Sequence, residues 1–460
     1  MTTPNASGTT TRWRTRRGRA IAGVLGSVLV AGALAGCSSS AGEAAGTGPA
    51  SSQSASNDPV TLDFWTWTLK GADPRAQAIV DRYHQEHPNV TIKLSEVGGT
   101  AETSAKLLAA DRADDAPDIV QVEYRGVPSL VVAGAVKDIT ADAAPIQDAY
   151  DPNVWSLATL NDQVYGIPQD IGPMMLTYRS DRFAELGVKV PTTWAEYAQA
   201  AEQIHAKDPS TYIASFSASE FDFFAMQAAQ AGANWWQTNG DAWSVGIDGP
   251  ESNSTANFWQ DLVDRDLVKV EPLLTPEWNA QVNAGKILSW AAAAWAPSVI
   301  YSVAPDTAGK WQSAPLPQWT PGNSAVPFLG GSAYLIPEKS QHAQAAVEFA
   351  SWLAASKEGS ELLLGLDIYP ASNAGQEATL NHAPPQLMPE QTDFYKIADQ
   401  VITDTTIPVT WGPNVNVAQS AFSDTLSAAA LNKTSFSDVY TLTQKTVVDD
   451  LTKSGYQVSE

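Results

Sequence analysis

Flat aromatic side chains placed beside carboxylates are the feature of this chain best suited to chemistry. Trp65 and Trp67 close an alternating apolar run that begins at Val60. Glu123 and Tyr124 follow the run Asp118–Val122, and Tyr369 and Trp411 sit in the irregular stretches 366–373 and 407–416. An aromatic face is large, rigid and apolar, so it packs well on C–H surface, while a carboxylate accepts hydrogen bonds from hydroxyls in fixed directions. Together they suit a ligand that offers both apolar C–H faces and hydroxyls. Tryptophan at a strand end carries this reading, because open α/β sheets place ligands beyond the carboxyl ends of their strands. Loop packing is the competing reading for Trp65 and Trp67, and a solvated acid is the competing reading for Glu123. Trp194, Trp259 and Trp352 fall on helical stretches and read as core.

Other chemistries find less support. Glycoside hydrolysis needs two carboxyls about 5–9.5 Å apart, and 50 acidic residues supply pairs in any fold, so composition alone does not exclude it. The chain has no G-x-S-x-G elbow, no H-E-x-x-H and no phosphate-binding loop. Its five histidines (His84, His87, His205, His342 and His382) are scattered. His84 and His87 are three apart at the end of one helix, against Pro88, which is weak support for a metal. No cofactor, metal or catalytic residue is expected. The net charge of −23 disfavours a nucleic-acid partner, since an acidic surface repels phosphate.

The first 57 residues read as an address. Arg12, Arg14, Arg16, Arg17 and Arg19 precede the short apolar stretch 20–34, which ends in Leu34-Ala35-Gly36-Cys37. This is the three-part layout of an export signal, and its end resembles the bacterial lipobox. That resemblance implies cleavage after residue 36, lipid attachment at Cys37 and a place on the outer face of the cell membrane. Arg16-Arg17 leaves the twin-arginine export route open beside the general one. Loss of residues 1–36 would remove five arginines and no acid, taking the net charge to −28. Residues 37–57, rich in Ser, Ala and Gly, read as a flexible tether. Cys37 is the only cysteine, so no internal disulfide is possible.

The elements that would hold the aromatic and acidic groups are legible. Strands are predicted at 60–65, 90–94 and 118–122. Between the first two lies a helix capped by Asp73 and Pro74, with Ala76, Ile79, Val80 and Tyr83 on one face; a second helix is expected over 103–112. This β-α-β-α-β opening predicts an α/β lobe with a largely parallel sheet. Thr193 and Glu196 form a capping box ahead of the stripe Trp194, Tyr197, Ala201 and Ile204. A helix opening at Ser340 shows Ala346, Phe349, Ala350 and Leu353 on one face, and the last hundred residues read as mainly helical. About 400 residues beyond the address suffice for two cores.

Several segments, in order, resemble the extracellular solute-binding proteins of bacterial ABC sugar importers, the large family that includes maltose-binding protein. They are "VTLDFWTW", "IVDRYHQEHPNVTIKL", "APDIVQVE", "DQVYGIPQDIGPMMLTYRSDRFAELGVKVPTTWAEY", "GKILSWAAAAWAPSVI" and "PLPQWTPGNSAVPFLGGSAYLIPEKSQHAQAAVEFASWLAAS". Arg179 departs from the asparagine common there, and beyond about residue 365 the likeness is only general. The resemblance implies a two-lobed periplasmic-binding-protein-like α/β fold with three hinge crossings and a ligand cleft between lobes. Its implied division is 58–172 plus 295–337 for the N-terminal lobe and 173–294 plus 338–460 for the C-terminal lobe. It implies cleft positions for Asp170, Trp295 and one of the pair Trp235 and Trp236. Gly331 could admit ligand close to the backbone, and a β-bulge explains it equally well. The implied activity is capture, as a monomer, of a di- or oligosaccharide and its delivery to membrane permease subunits. A monosaccharide or a non-sugar solute is the alternative.

Overall fold

A computed structural model describes residues 58–239, 242–407 and 409–459. Cys37, the leader and the tether therefore lie outside the described residues. The opening is β1 (Val60–Thr66), α1 (Pro74–Glu86), β2 (Val90–Glu96), α2 (Thr100–Arg112) and β3 (Ile119–Glu123). Strand β1 lies between β2 and β3 and runs parallel to both. The local chemistry agrees with the sequence pattern: the Asp73 side chain accepts the Arg75 amide at 2.8 Å, with Pro74 in the first turn. The predicted stripe Ala76, Ile79, Val80 and Tyr83 is the buried face of α1.

The long strand β4 (Gly166–Arg179) organises the rest of the sheet. Its first half pairs antiparallel with β7 (Val326–Leu335), from Gly166 opposite Leu335 to Pro173 opposite Phe328. Its second half, from Met174 onward, lies between β5 (Ser289–Ala293) and β6 (Trp311–Pro315). Strand β7 also pairs with β3, giving the order β5-β4-β7-β3-β1-β2, with β6 on the other edge of β4's second half. One strand thus carries the sheet out of one neighbourhood of side chains and into another.

Two hydrophobic cores correspond to those neighbourhoods. The first gathers Leu62, Phe64, Ile79, Tyr83, Ile119, Val122, Tyr334 and Phe349. Its rings meet edge to face, as for Phe64 on Tyr334 at 5.2 Å. The second gathers residues of α3 (Trp194–Lys207), α4 (Phe221–Ala231) and α5 (Pro250–Asp264) around Trp194, Phe224, Trp235, Trp236, Trp259 and Phe422. Trp194 is fully buried there and donates to Gln230 Oε1 at 2.8 Å. Thr193 caps α3 as expected, accepting the Glu196 amide. The reciprocal half of the box is displaced by one residue: Glu196 Oε2 accepts from the Thr192 amide.

The resemblance implies one lobe for residues 338–460 and the other for 295–337, and the two hydrophobic cores draw residues from both stretches. Residues 338–460 do not pack as one body. α6 (Ala343–Ala355), α7 (Lys357–Leu364) and, beyond α8 (Asn373–Thr379), which packs on α6 and α7, most of α9 (Phe394–Thr405) bring Ala346, Phe349, Leu363, Phe394 and Ala398 into the first core. α10 (Val415–Asn432) and α11 (Phe436–Lys453) join the second, through Val415, Phe422, Tyr440 and Val447, together with Val401 and Trp411. Residues 295–337 are likewise shared: Ile300 and Tyr334 belong to the first core, Leu316 and Val326 to the second. A helix shows in the sequence that it has an apolar face, but not which of two apolar surfaces it will cover.

Candidate ligand-binding site

Where β4 changes partners, a cavity of ≈ 360 Å³ opens, in the range typical of small-molecule sites. Trp67, Glu123, Asp170, Trp295, Gly331 and Tyr369 all line it. These six come from six separate stretches of chain, and the sheet brings them together. Glu123 ends β3, Trp67 follows β1, Asp170 lies on β4 and Gly331 on β7. Tyr369 arrives because its own stretch docks on β4: the Ile171 amide donates to the Tyr369 carbonyl and the Ala371 amide to the Gln169 carbonyl.

Trp295 forms an upright wall. Its indole donates to the Leu329 carbonyl at 3.0 Å and stands edge-on to Trp290 at 5.4 Å, which itself meets Trp278 at 5.5 Å. Three successive indoles therefore fix one ring plane at low entropic cost. Trp290 and Leu329 also line a small neighbouring cavity on the second-core side, with Glu220, Phe223 and Trp259. Burial pushes the Glu220 carboxyl above its ordinary range.

A polar network that the sequence reading missed forms the floor. Asp170 Oδ1 accepts from the Ser332 amide at 3.0 Å and from its hydroxyl at 2.5 Å. Ser332 Oγ in turn accepts from Gln121 Nε2 at 2.9 Å, and Gln121 Oε1 accepts from the hydroxyls of Thr66 and Thr68. Gln169 joins through Thr68 at 3.3 Å. The available signal was a glutamine in the middle of an apolar strand, Ile119-Val120-Gln121-Val122, since a buried amide must find partners. Burial pushes the Asp170 carboxyl up to about 6; the Ser332 hydrogen bonds pull it down, and the nearby Glu123 charge raises it.

Gly330 and Gly331 make a bulge, with φ of +78° and +89° and a register shift in the β4–β7 ladder. Both readings of Gly331 therefore meet at one place: it is a bulge, and it lines the cavity. A Cβ at Gly331 would stand 2.8 Å from the Asp170 carbonyl and 2.9 Å from Tyr124 Cε2.

The remaining expected residues lie elsewhere, each for a packing reason. Tyr124 is buried under the bulge, where its hydroxyl donates to the Asp170 carbonyl at 2.9 Å, so it supports the wall without lining it. Trp65 is 7% exposed and packs in the first core, with the Lys106 ammonium 3.9 Å from its ring centre. Trp235, Trp236 and Trp411 are 3%, 1% and 9% exposed and stand together in the second core, away from the cavity. Trp236 lies 6.2 Å from Trp235 and 6.1 Å from Trp411, and Trp235 donates to Ser252 Oγ. Neither member of the 235–236 pair lines the cavity: Trp235 packs on Phe221 of α4 and Phe422 of α10, and Trp236 packs against Trp235 and Trp411.

Among the described residues that line the cavity, three are acids (Glu123, Asp170 and Asp367) and none is Lys, Arg or His. The cavity thus offers hydrogen-bond acceptors and flat apolar ring faces side by side. Residues 67–359 match the family described as bacterial extracellular solute-binding protein. The chain belongs to that family. This solute-binding protein is similar to the arabinooligosaccharide-binding protein of Halalkalibacterium halodurans, 25% identical over 329 residues that cover 66% of this chain and 70% of the relative. Its structure is similar to that of the ABC-transporter-associated binding protein of B. animalis subsp. lactis Bl-04 in complex with β-1,6-galactobiose. There the TM-score is 0.76 and identity 26%, over 88% of this chain and all of the other. It is also similar to the galacto-N-biose-/lacto-N-biose I-binding protein of Bifidobacterium longum in complex with lacto-N-biose, with a TM-score of 0.78 and 25% identity over 88% and 100% of the two chains. The two-domain α/β architecture of sugar-binding proteins of ABC transporters is therefore the architecture of this chain.

Proposed function

We propose that this protein is the substrate-binding component of an ABC importer and captures a di- or oligosaccharide in the cavity beside Trp67, Asp170, Trp295 and Tyr369. The observation that carries the reading is the convergence of an oriented indole, a second indole, a phenol and three carboxylates on one cavity at the joint between two cores. The sugars bound by the similar proteins support it. One lobe is built on the first core and includes α6 to α9; the other is built on the second core and includes α10 and α11. Ligand that touches both lobes favours the shut arrangement, and permease subunits receive that form.

The sugar leaves unaltered, because the acids of the cavity act as hydrogen-bond acceptors. Lipid at Cys37 holds the protein at the outer face of the membrane. Calorimetric titration with β-1,6-galactobiose, lacto-N-biose and an arabino-oligosaccharide tests the reading. At least one should bind near micromolar, about −8 kcal/mol, and should be recovered intact. Trp295→Ala should weaken binding by more than about tenfold with the far-ultraviolet circular dichroism unchanged. Chromatography showing cleaved sugar would replace the binding reading with hydrolysis. Cys37→Ser should release the protein into the medium, and retention on membranes would point to another anchor.

A further inference from the structure

Arg125 follows β3 in the short turn Tyr124–Gly126, on the first-core side of the molecule. Its guanidinium is mostly buried, with the side chain 14% exposed, and it reaches three groups. Nε stands 2.8 Å from Glu123 Oε2 and 3.2 Å from Asp222 Oδ2, while Nη1 donates to Gln419 Oε1 at 2.6 Å. Asp222 is in the first turn of α4 and Gln419 is on α10, and both helices are anchored in the second core by Phe221, Phe224, Ala418 and Phe422. Glu123 is one of the acids lining the cavity. A single side chain therefore joins a cavity wall to both a helix pair and a core that lie across the joint. Its planar fork suits this task, since it can serve several acceptors in fixed directions at once.

An ordinary ion pair at a protein surface contributes little. Two observations set this one apart. Asp222 Oδ1 is buried with no hydrogen-bond partner although the side chain as a whole is 27% exposed, so one oxygen of this carboxylate has given up solvent beside Arg125. Burial, opposed by Arg125 and reinforced by Glu123 and Glu220, raises the Asp222 carboxyl above its ordinary range. Burial and the neighbouring acids are thus costly for Asp222, and its contact with Arg125 offsets part of that cost.

We propose that Arg125 is a positioning residue that couples lobe closure to the cavity: the approach of Asp222 and Gln419 to its guanidinium holds Glu123 in the orientation it offers to the ligand. The proposal rests on the cavity being the ligand site. Asp222 and Gln419 then influence affinity although neither lines the cavity.

The test uses the full chain and the variants Arg125→Ala, Arg125→Lys and Asp222→Asn. Without sugar, amide hydrogen exchange in segments 122–126, 220–224 and 416–420 should quicken together by about tenfold or more in Arg125→Ala, and small-angle scattering should show a larger radius of gyration. Asp222→Asn, which keeps shape and loses charge, should weaken binding of β-1,6-galactobiose or lacto-N-biose, whichever the wild type binds more tightly, by about tenfold. Arg125→Lys keeps the charge without the fork, so it should restore the scattering profile more fully than the affinity. Wild-type exchange rates and scattering in both Arg125→Ala and Asp222→Asn would overturn the coupling. If the wild type binds neither sugar, the proposed function fails for those sugars, and the sugar-free exchange comparison still decides whether Arg125 joins the lobes.

Discussion

Asp170 shows how much one residue's surroundings decide. In water its carboxyl would titrate near 3.8; burial beside Glu123 moves it to about 6 despite two hydrogen bonds from Ser332. A sugar hydroxyl donating to this carboxylate favours its ionised form, so binding expels a proton whenever Asp170 is protonated beforehand. Affinity should be full above pH 6 and should fall below it, by up to about tenfold per pH unit. Titrations between pH 5 and 8 check this, and Asp170→Asn should flatten the profile while lowering the plateau. A flat wild-type profile would remove Asp170 from contact with the ligand. The sign for stability is the reverse: with the folded value raised above 3.8, the cost of burying the charge is absent at lower pH and complete above about 6. Glu123 was legible as a candidate because it is an acid at a strand end, with a solvated acid as its competing reading, and Asp170 was legible as a candidate through the family resemblance. Gln121 and Ser332, which orient Asp170, were not, since an amide or hydroxyl inside a strand gives no sign of where its partner will be.

At the scale of elements, the bulge in β7 does two jobs with two glycines. Gly330 and Gly331 both have positive φ, which costs an L-residue about 1–2 kcal/mol. They differ in surroundings. A Cβ at Gly330 would meet nothing closer than Trp295 Nε1 at 3.5 Å, an ordinary contact. One at Gly331 would drive into the Asp170 carbonyl and the Tyr124 ring. Gly330→Ala should therefore lower stability by about 1–2 kcal/mol, and Gly331→Ala by about 2–4 kcal/mol once overpacking is added. Only Gly331→Ala should displace Asp170 and weaken sugar binding in proportion; chemical denaturation and titration of the two variants give the comparison. Equal losses in both would mean that backbone conformation alone sets the requirement. The elements themselves were read well from periodicity and caps, as with α1 and the opening strands. Their partners were not. Trp235, Trp236 and Trp411 sit near helix ends and in loops, the places a ligand-facing indole would occupy, yet a large helix-rich core has the same appetite for indoles. The passage of α6, α7 and most of α9 into the first core was hidden for a related reason: the stripe of Ala346, Phe349, Ala350 and Leu353 fits either core, and only the long pairing of β4 with β7 decides.

At the scale of the whole molecule, the charge of the chain and the charge of its cavity have the same sign, and this limits what can enter. The net charge is −23, and three of the cavity's lining residues are acids with no lysine, arginine or histidine among the described residues beside them. Long-range repulsion is screened within about 10 Å at 0.1 M salt, so the surface slows an anionic ligand only in dilute buffer. The cavity acids act at close range and are screened far less. A ligand carboxylate about 5 Å from one of them, at an effective dielectric near 20, is repelled by about 3 kcal/mol, or roughly a hundredfold in affinity. A neutral disaccharide meets neither barrier, and its hydroxyls find acceptors in the same groups. Its affinity should stay within about twofold between about 50 and 500 mM salt. A disaccharide of the same linkage carrying a uronate should bind at least a hundredfold more weakly, and added salt should recover little of that loss. Tight binding of the uronate at low salt would show that a basic group reaches the cavity when the lobes close. Arg125 is a cation paired with the cavity's Glu123, and its commitment to Glu123, Asp222 and Gln419 is the reason to expect the opposite.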